Sequence, residues 1–160
     1  MPQTNIMRHQ IADYLTVGEQ DYLMNTGFTS LGHSPGAQEE TTQYVGDVAS
    51  STTVTSYQTE FPYNAELILE QEATNALYET GDEQKTGSGA MFTYTRVMLY
   101  KPVEGLENTY EAKQYRVSNV VSDGPADPGK AVFSGTLKQV GAFKKGTYNV
   151  SERKFTETVV

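Results

Sequence analysis

Polar and apolar side chains alternate over residues 50–63, a stretch of Ser, Thr, Tyr, Val and Phe without Lys or Arg. Odd positions from Thr53 to Tyr63 carry threonine and aromatic residues, and even positions are more polar, with Val54 and Pro62 as exceptions. A period of two residues predicts a β-strand with protein on one side and water on the other. Because Pro62 has no N–H to donate, we expect strand pairing to end near Phe61.

The same kind of pattern predicts further strands over residues 11–17, 91–103, 111–122, 130–140 and 148–159. Apolar residues recur at helical spacing over residues 65–80, which predicts one helix capped by Asn64 and ended by Gly81. Many strands with one helix predict a mainly β fold, a sandwich or a barrel.

Two segments do not fit this pattern of core-forming elements. Residues 31–51 include the turn-rich, polar run GHSPGAQEE, and loops of this length are usually functional or disordered. Residues 1–10 are polar and predict an N-terminal arm rather than a strand or helix.

Length and composition limit the possibilities. The 160 residues correspond to one domain, 1–160, and the absence of cysteine excludes disulfides and thiolate metal sites. No apolar run approaches the roughly 20 residues of a membrane span, and the first residues lack the apolar segment of a secretory signal. We therefore expect a soluble protein with no membrane partner.

The net charge of −8 is unevenly distributed along the chain. Residues 9–84 contain thirteen Asp and Glu and no Lys or Arg, whereas all twelve basic residues and seven acids lie outside that window. The window thus carries −13 and the remainder +5. The acidic part should repel nucleic acid, and the basic part could attract an acidic partner. The alternative is that solvated surface acids happen to cluster.

The motifs that could carry chemistry fail on inspection. Residues 32–36 match the G-x-S-x-G pattern of a hydrolase nucleophile, but Pro35 removes the N–H after Ser34 and no histidine follows it. Two histidines and adjacent acid pairs without calcium-loop spacing predict no metal site. A Gly87–Gly89 fragment is too short for a dinucleotide fingerprint. We predict no catalytic residue, no cofactor and no enzymatic activity.

The segments RHQIADYLTVG, SPGAQEETTQYVGD and SSTTVTSYQTEFPYNAELI, in this order and spacing, resemble tail tube (major tail) proteins of long-tailed bacteriophages and of related phage-derived tail particles. The resemblance covers essentially the whole chain. It implies a two-sheet β-sandwich flanked by one helix, and hexameric rings that stack into a tube. It also implies tape-measure and tail-end proteins as partners, assembly in the host cytoplasm, and a place in the virion tail. DNA would pass through the tube without specific binding.

The resemblance also assigns roles to parts of the chain. It implies that the arm 1–10 and the loop 31–51 reach neighbouring subunits, with contacts by Gly32, Ser34, Pro35, Gly36, Gln38, Glu39, Glu40 and Gln43. From the charge distribution we place Asp47 and Glu60 on the channel side. The alternative function is a β-sandwich binding module, carbohydrate-binding or adhesin-like, supported by the eleven tyrosines and the acidic charge.

Overall fold

A computed structural model describes residues 3–126 and 128–158 of the chain. Within these residues, strands and one α-helix follow one another along the chain. They are β1 (Ile11–Val17), β2 (Gln20–Leu23), β3 (Phe28–Leu31), β4 (Ala37–Thr42), β5 (Ser51–Tyr57), β6 (Glu60–Glu66), α1 (Glu72–Asp82), β7 (Met91–Pro102), β8 (Thr109–Asp123), β9 (Val132–Gln139), β10 (Lys144–Asn149) and β11 (Lys154–Glu157). The mainly β fold class with one α-helix is confirmed for the described residues.

Nine strands form one antiparallel sheet, in the order β2-β1-β7-β8-β9-β6-β3 with β10 and β11 attached. The 15-residue β8 is long enough to pair with β10 along its first part and with β9 along its second part. The sheet therefore branches at β8. The second sheet is the hairpin β4–β5.

The branch that contains β10 and β11 curls back towards β2. The Tyr148 hydroxyl donates a hydrogen bond to Asp21 Oδ2 at 2.9 Å, and Arg153 Nη1 donates to the Asp21 carbonyl oxygen at 3.1 Å. A smaller core fills this curl, with Tyr14 and Tyr148 in contact at 4.6 Å between ring centroids and Val97 fully buried. Strands β2 and β11 do not pair with each other. Side-chain contacts, and not a ladder of backbone hydrogen bonds, therefore close this end of the sheet.

The main core lies between the other face of the sheet and α1. Along β6 the side chains of Phe61, Tyr63 and Ala65 are buried, whereas Pro62 and Asn64 between them are exposed. This is the alternation that a half-buried strand requires. Phe61 packs against Tyr94 at 4.7 Å between ring centroids. Leu15, Leu77, Val117, Phe133 and Leu137 complete this core.

Helix α1 begins at Glu72, so the predicted start at residue 65 is wrong. Ala65 and Glu66 instead pair with Phe133 and Val132 and finish β6. The apolar spacing predicted a helix because Ala65 and Ile68 are three residues apart, as they would be on one face of a helix. Ala65 instead belongs to a buried strand, and Ile68 lies in the segment that follows it. The helix also continues one residue past Gly81, to Asp82, so the predicted end at Gly81 is wrong by one residue. A Cβ at Gly81 would lie 2.7 Å from Val121 Cβ. Glycine at this position allows close approach of the helix to β8.

The strand predicted over residues 50–63 is two strands, β5 and β6, in different sheets. The alternation continues through Gln58 and Thr59, so the pattern gave no sign of the break. Pairing also does not end at Phe61. The Pro62 carbonyl accepts a hydrogen bond from the Gly32 N–H at 2.9 Å, so the Pro62 nitrogen faces the end of β3. Proline therefore removes no donor from the β6–β9 ladder.

Two further boundaries differ from the predictions. The loop expected at 31–51 contains β4, so this segment is mostly one arm and the turn of a hairpin. The strand expected at 148–159 is the end of β10, a turn and β11; Val159 lies outside the described residues. Strands β1, β7, β8 and β9 lie where the alternation predicts them.

Candidate self-assembly surface

The hairpin β4–β5 is separate from the body of the protein. Every residue of β5 is exposed, and in β4 only Thr42 is partly covered. The Thr41 and Thr52 hydroxyls lie 3.0 Å apart across the strands, and the Thr55 hydroxyl donates to the Gln38 carbonyl at 3.2 Å. An isolated two-stranded hairpin has marginal stability in water. A surface of this kind gains stability when another molecule covers it.

The tip of the hairpin presents apolar side chains to water. Asp47 Oδ2 accepts a hydrogen bond from the Tyr44 N–H at 2.8 Å, and the Asp47 N–H donates to the Tyr44 carbonyl at 2.9 Å. This turn directs Tyr44, Val45 and Val48 outward, with exposures of 75%, 108% and 101%. Clustered exposed apolar side chains typically mark an interaction site.

The base of the hairpin is firmly attached to the body. The Gln58 N–H donates to the Gly36 carbonyl at 2.9 Å, and Ser34 and Glu60 exchange two backbone hydrogen bonds of 2.8 Å. Gly36 has a φ of 63°, and a Cβ there would lie 2.1 Å from the Gln58 carbonyl oxygen. Only glycine fits this point, where the chain leaves the body.

The structure divides the predicted contact residues into two groups. Gly32, Ser34, Pro35 and Gly36 form the base of the hairpin. The remaining four residues lie on the hairpin itself, and these are Gln38, Glu39, Glu40 and Gln43. All three hairpin acids, Glu39, Glu40 and Asp47, lie on a segment without cations, so the hairpin carries a charge of −3.

The two acids assigned to the channel, Asp47 and Glu60, are not brought together. Asp47 closes the turn at the tip, whereas Glu60 lies at the start of β6 and pairs with Lys138 at 3.5 Å. The six residues of β4 separate the base from the tip by about 20 Å. Their orientation towards a channel remains a prediction.

Arg8 joins the N-terminal segment to Asp13 on β1 and to Leu31, the residue before the hairpin base. Its guanidinium donates to Asp13 Oδ2 at 2.7 Å, to the Ile11 carbonyl at 2.9 Å and to the Leu31 carbonyl at 3.1 Å. Asp13 is 3% exposed and also accepts a hydrogen bond from the Tyr94 hydroxyl. Burial, together with the Asp13 carboxylate, raises the pKa of Tyr94. Residues 3–7 are exposed and form no helix or strand, Arg8–Gln10 form a short 3-10 helix, and Met1 and Pro2 of the predicted arm lie outside the described residues.

Beside the hairpin base, three cations face one another across adjacent strands. Arg96 on β7 is the register partner of Lys113 on β8, and Lys113 is the partner of Lys145 on β10. Lys113 lines two clefts, of about 590 and 150 Å³, that also share His33 and Tyr115, and Arg96 lines the smaller of the two. We call their combined lining the basic groove. Its other members are Ile11, Pro35, Tyr57, Thr59, Arg96, Met98, Tyr100, Gln139, Gly141 and Phe143.

The sequence patterns did not bring Arg96 and Lys113 together and did not identify the groove. The two lie 17 positions apart along the chain, and only the register of β7 on β8 makes them neighbours. His33 stacks on Phe61 at 5.1 Å, and burial followed by the charges of Arg96 and Lys113 lowers its pKa. The row could not have been found from the sequence alone, because finding it requires knowing which residues pair across the strands.

Comparison with known proteins supports the fold through similarity of structure and not through similarity of sequence. No protein-family model and no curated protein matches the sequence. A chain from the virion of a native gene transfer agent particle superposes with a TM-score of 0.61 at 8% identity, covering 95% of this chain and 99% of that one.

Two further solved structures share the architecture. A subunit of the SPP1 tail tube gives a TM-score of 0.61 at 16% identity, covering 88% of this chain and 78% of the other. A chain of the tail of an empty gene transfer agent particle, refined with C6 symmetry, gives 0.56 at 7% identity, covering 87% and 97%. This chain therefore has a tail-tube fold. Among its described residues, no helix is long and apolar enough to cross a membrane.

Proposed function

We propose that this chain is the repeating subunit of a tail tube, in which copies form six-membered rings that stack into a conduit. The observation that carries the proposal is the hairpin β4–β5, an exposed two-stranded sheet with an apolar tip, on a body with the tail-tube fold. A hairpin of this kind is stabilised when a neighbouring copy covers its edges and its tip.

The proposal extends to the place and partners of the tube. The subunit would lie in a virion tail, assemble in the host cytoplasm, enclose a tape-measure protein and meet tail-end proteins at the ends. DNA would pass through without being held, because the hairpin and the rest of residues 9–84 offer no Lys or Arg for phosphate contacts.

We propose no catalytic role for the chain. Ser34, the serine of the hydrolase-like motif, exchanges two backbone hydrogen bonds with Glu60 at the hairpin base, and Pro35 follows it. Its surroundings are therefore those of a strand junction. The motif needs a strand, a tight turn and a helix in succession, and α1 begins 38 residues after Ser34.

Negative-stain electron microscopy and sedimentation of concentrated protein test the proposal. We expect rings or tubes with six-fold symmetry. The matched control replaces residues 37–57 with a short Gly-Ser linker, which leaves the body strands intact. This variant should retain the circular dichroism of a folded β protein and form no tubes.

Two outcomes would contradict the proposal. A wild-type protein that sediments as a monomer at every concentration would remove the basis for a tube, and micromolar glycan binding by that monomer would favour the binding module. Normal tubes from the variant without the hairpin would show that the hairpin is not the assembly element.

A further inference from the structure

The cationic row of Arg96, Lys113 and Lys145 is unfavourable in the isolated chain. Directly opposed side chains on paired strands lie about 5 Å apart, and like charges at that spacing destabilise a sheet. Arg96 has the Asp13 carboxylate at 3.9 Å. In residues 3–126 and 128–158, no carboxylate lies within 4.0 Å of Lys113 or Lys145. Within the part of the chain that the structure describes, two of the three charges in the row therefore have no anionic partner within 4.0 Å.

The groove around this row is partly apolar. The Lys113 ammonium lies 5.5 Å from the centre of the Phe143 ring, and the Tyr115 ring packs on Phe143 at 5.4 Å. Phe143 and Tyr57 remain 40% and 64% exposed. A ligand that matches this surface combines a carboxylate with apolar side chains.

One face of the hairpin has that combination. Glu39 and Val54 are register partners, so their side chains lie together on the same face, and Val54 is 50% exposed. Glu40 pairs with Thr53 and lies on the opposite face, because successive residues of a strand alternate. The Glu39 face carries an anion beside an apolar side chain.

The hairpin does not fill the groove of its own chain. Pro35 and Tyr57 at its base form one wall of the groove, and the strands lead away from that wall to a tip about 20 Å distant. An occupant with the chemistry of the hairpin must therefore come from a second copy.

We propose that the basic groove is the docking site for the hairpin of a neighbouring copy, with the Glu39–Val54 face directed into it and Glu39 beside Lys113. This inference rests on the proposed self-assembly and adds the residues that recognise each other. Because the contact pairs opposite charges near the surface, assembly should weaken as salt concentration rises.

A charge exchange tests the pairing. Glu39→Lys and Lys113→Glu should each raise the critical concentration for assembly at least about tenfold, since like charges placed across an interface are strongly unfavourable. The double variant should recover most of the loss. Glu40→Lys is the matched control, because it makes the same charge change on the other face of the hairpin. It should assemble within about threefold of wild type.

The outcomes separate the two proposals. If Lys113→Glu forms tubes at the wild-type concentration while deletion of the hairpin abolishes them, self-assembly holds and the docking site is wrong. Failure of the double variant to recover, with Glu40→Lys as damaging as Glu39→Lys, also overturns the docking site. Normal assembly of Lys113→Glu together with loss of salt-dependent DNA retention would assign the row to nucleic acid instead. A wild-type protein that never assembles would refute both.

Discussion

Replacement of Leu77 by alanine tests both the position of α1 and the packing beneath it. Leu77 is fully buried in the main core, on the face of α1 that contacts the sheet. Leu→Ala at well-packed sites costs about 3–5 kcal/mol, because the lost contacts leave a cavity that closes only partly. For a domain of this size that loss lowers Tm by about 6–20 °C.

The control for this change is Leu69→Ala. Leu69 lies in the turn before α1 and is 92% exposed, so its truncation should change the free energy of unfolding by less than about 0.5 kcal/mol. If the helix began at residue 65, Leu69 and Leu77 would lie on the same face and both variants would be costly. The pair therefore distinguishes the observed helix from the one that the sequence predicts.

Denaturant unfolding followed by circular dichroism provides the measurement, at a protein concentration where light scattering detects no assembly. The carbonyl of residue 77, which accepts a hydrogen bond from Asn119 Nδ2 at 2.9 Å, is unchanged in the variant. The loss should therefore report the side chain alone. A Leu77→Ala protein as stable as wild type, or a Leu69→Ala protein equally destabilised, would refute the packing described above.

Two further predictions concern the same core. Gly81→Ala should destabilise the protein in denaturant unfolding although alanine favours helices by about 1 kcal/mol over glycine, because the new Cβ would meet the Val121 Cβ at 2.7 Å; Val121→Ala keeps that Cβ and should therefore not restore the wild-type stability. Burial raises the pKa of Tyr63, Tyr94 and Tyr148 above 10, so the folded state keeps protons that the unfolded chain releases. The contribution of these tyrosines to the free energy of unfolding should therefore be constant below about pH 9 and fall as the pH rises through 10. Tyr148→Phe should make that fall shallower, and an unchanged slope would contradict the assignment.

The sequence by itself determined the positions of four of the nine strands of the main sheet. Strands β1, β7, β8 and β9 each keep a two-residue alternation over most of their length, and that pattern is local to the strand. The sequence also predicted a functional role for residues 31–51, because long polar segments of this kind are usually functional or disordered, and that role remains a prediction. The resemblance to tail tube proteins led to the fold that the solved structures share.

Tertiary structure decided the features that depend on what a segment packs against. Thr55 and Tyr57 belong to the same alternation as Phe61 and Tyr63, yet the first pair faces water on the hairpin and the second pair lies in the core. The spacing of side chains is identical in both cases, so it contains no information about the break at Gln58. The start of α1 was missed for the same reason, because Ala65 is buried by pairing with β9 rather than by a helix face.

The basic groove depends on tertiary structure even more strongly. Arg96, Lys113 and Lys145 are spread over 50 residues of sequence, and their proximity results from the register of three strands. A shift of one residue in either pairing would move a cation to the other face of the sheet. The sequence thus determined that the acids lie in one half of the chain and the bases in the other. Only the fold places this row, in which Lys113 and Lys145 have no carboxylate within 4.0 Å among the described residues, next to an acidic hairpin whose strands lead away from it.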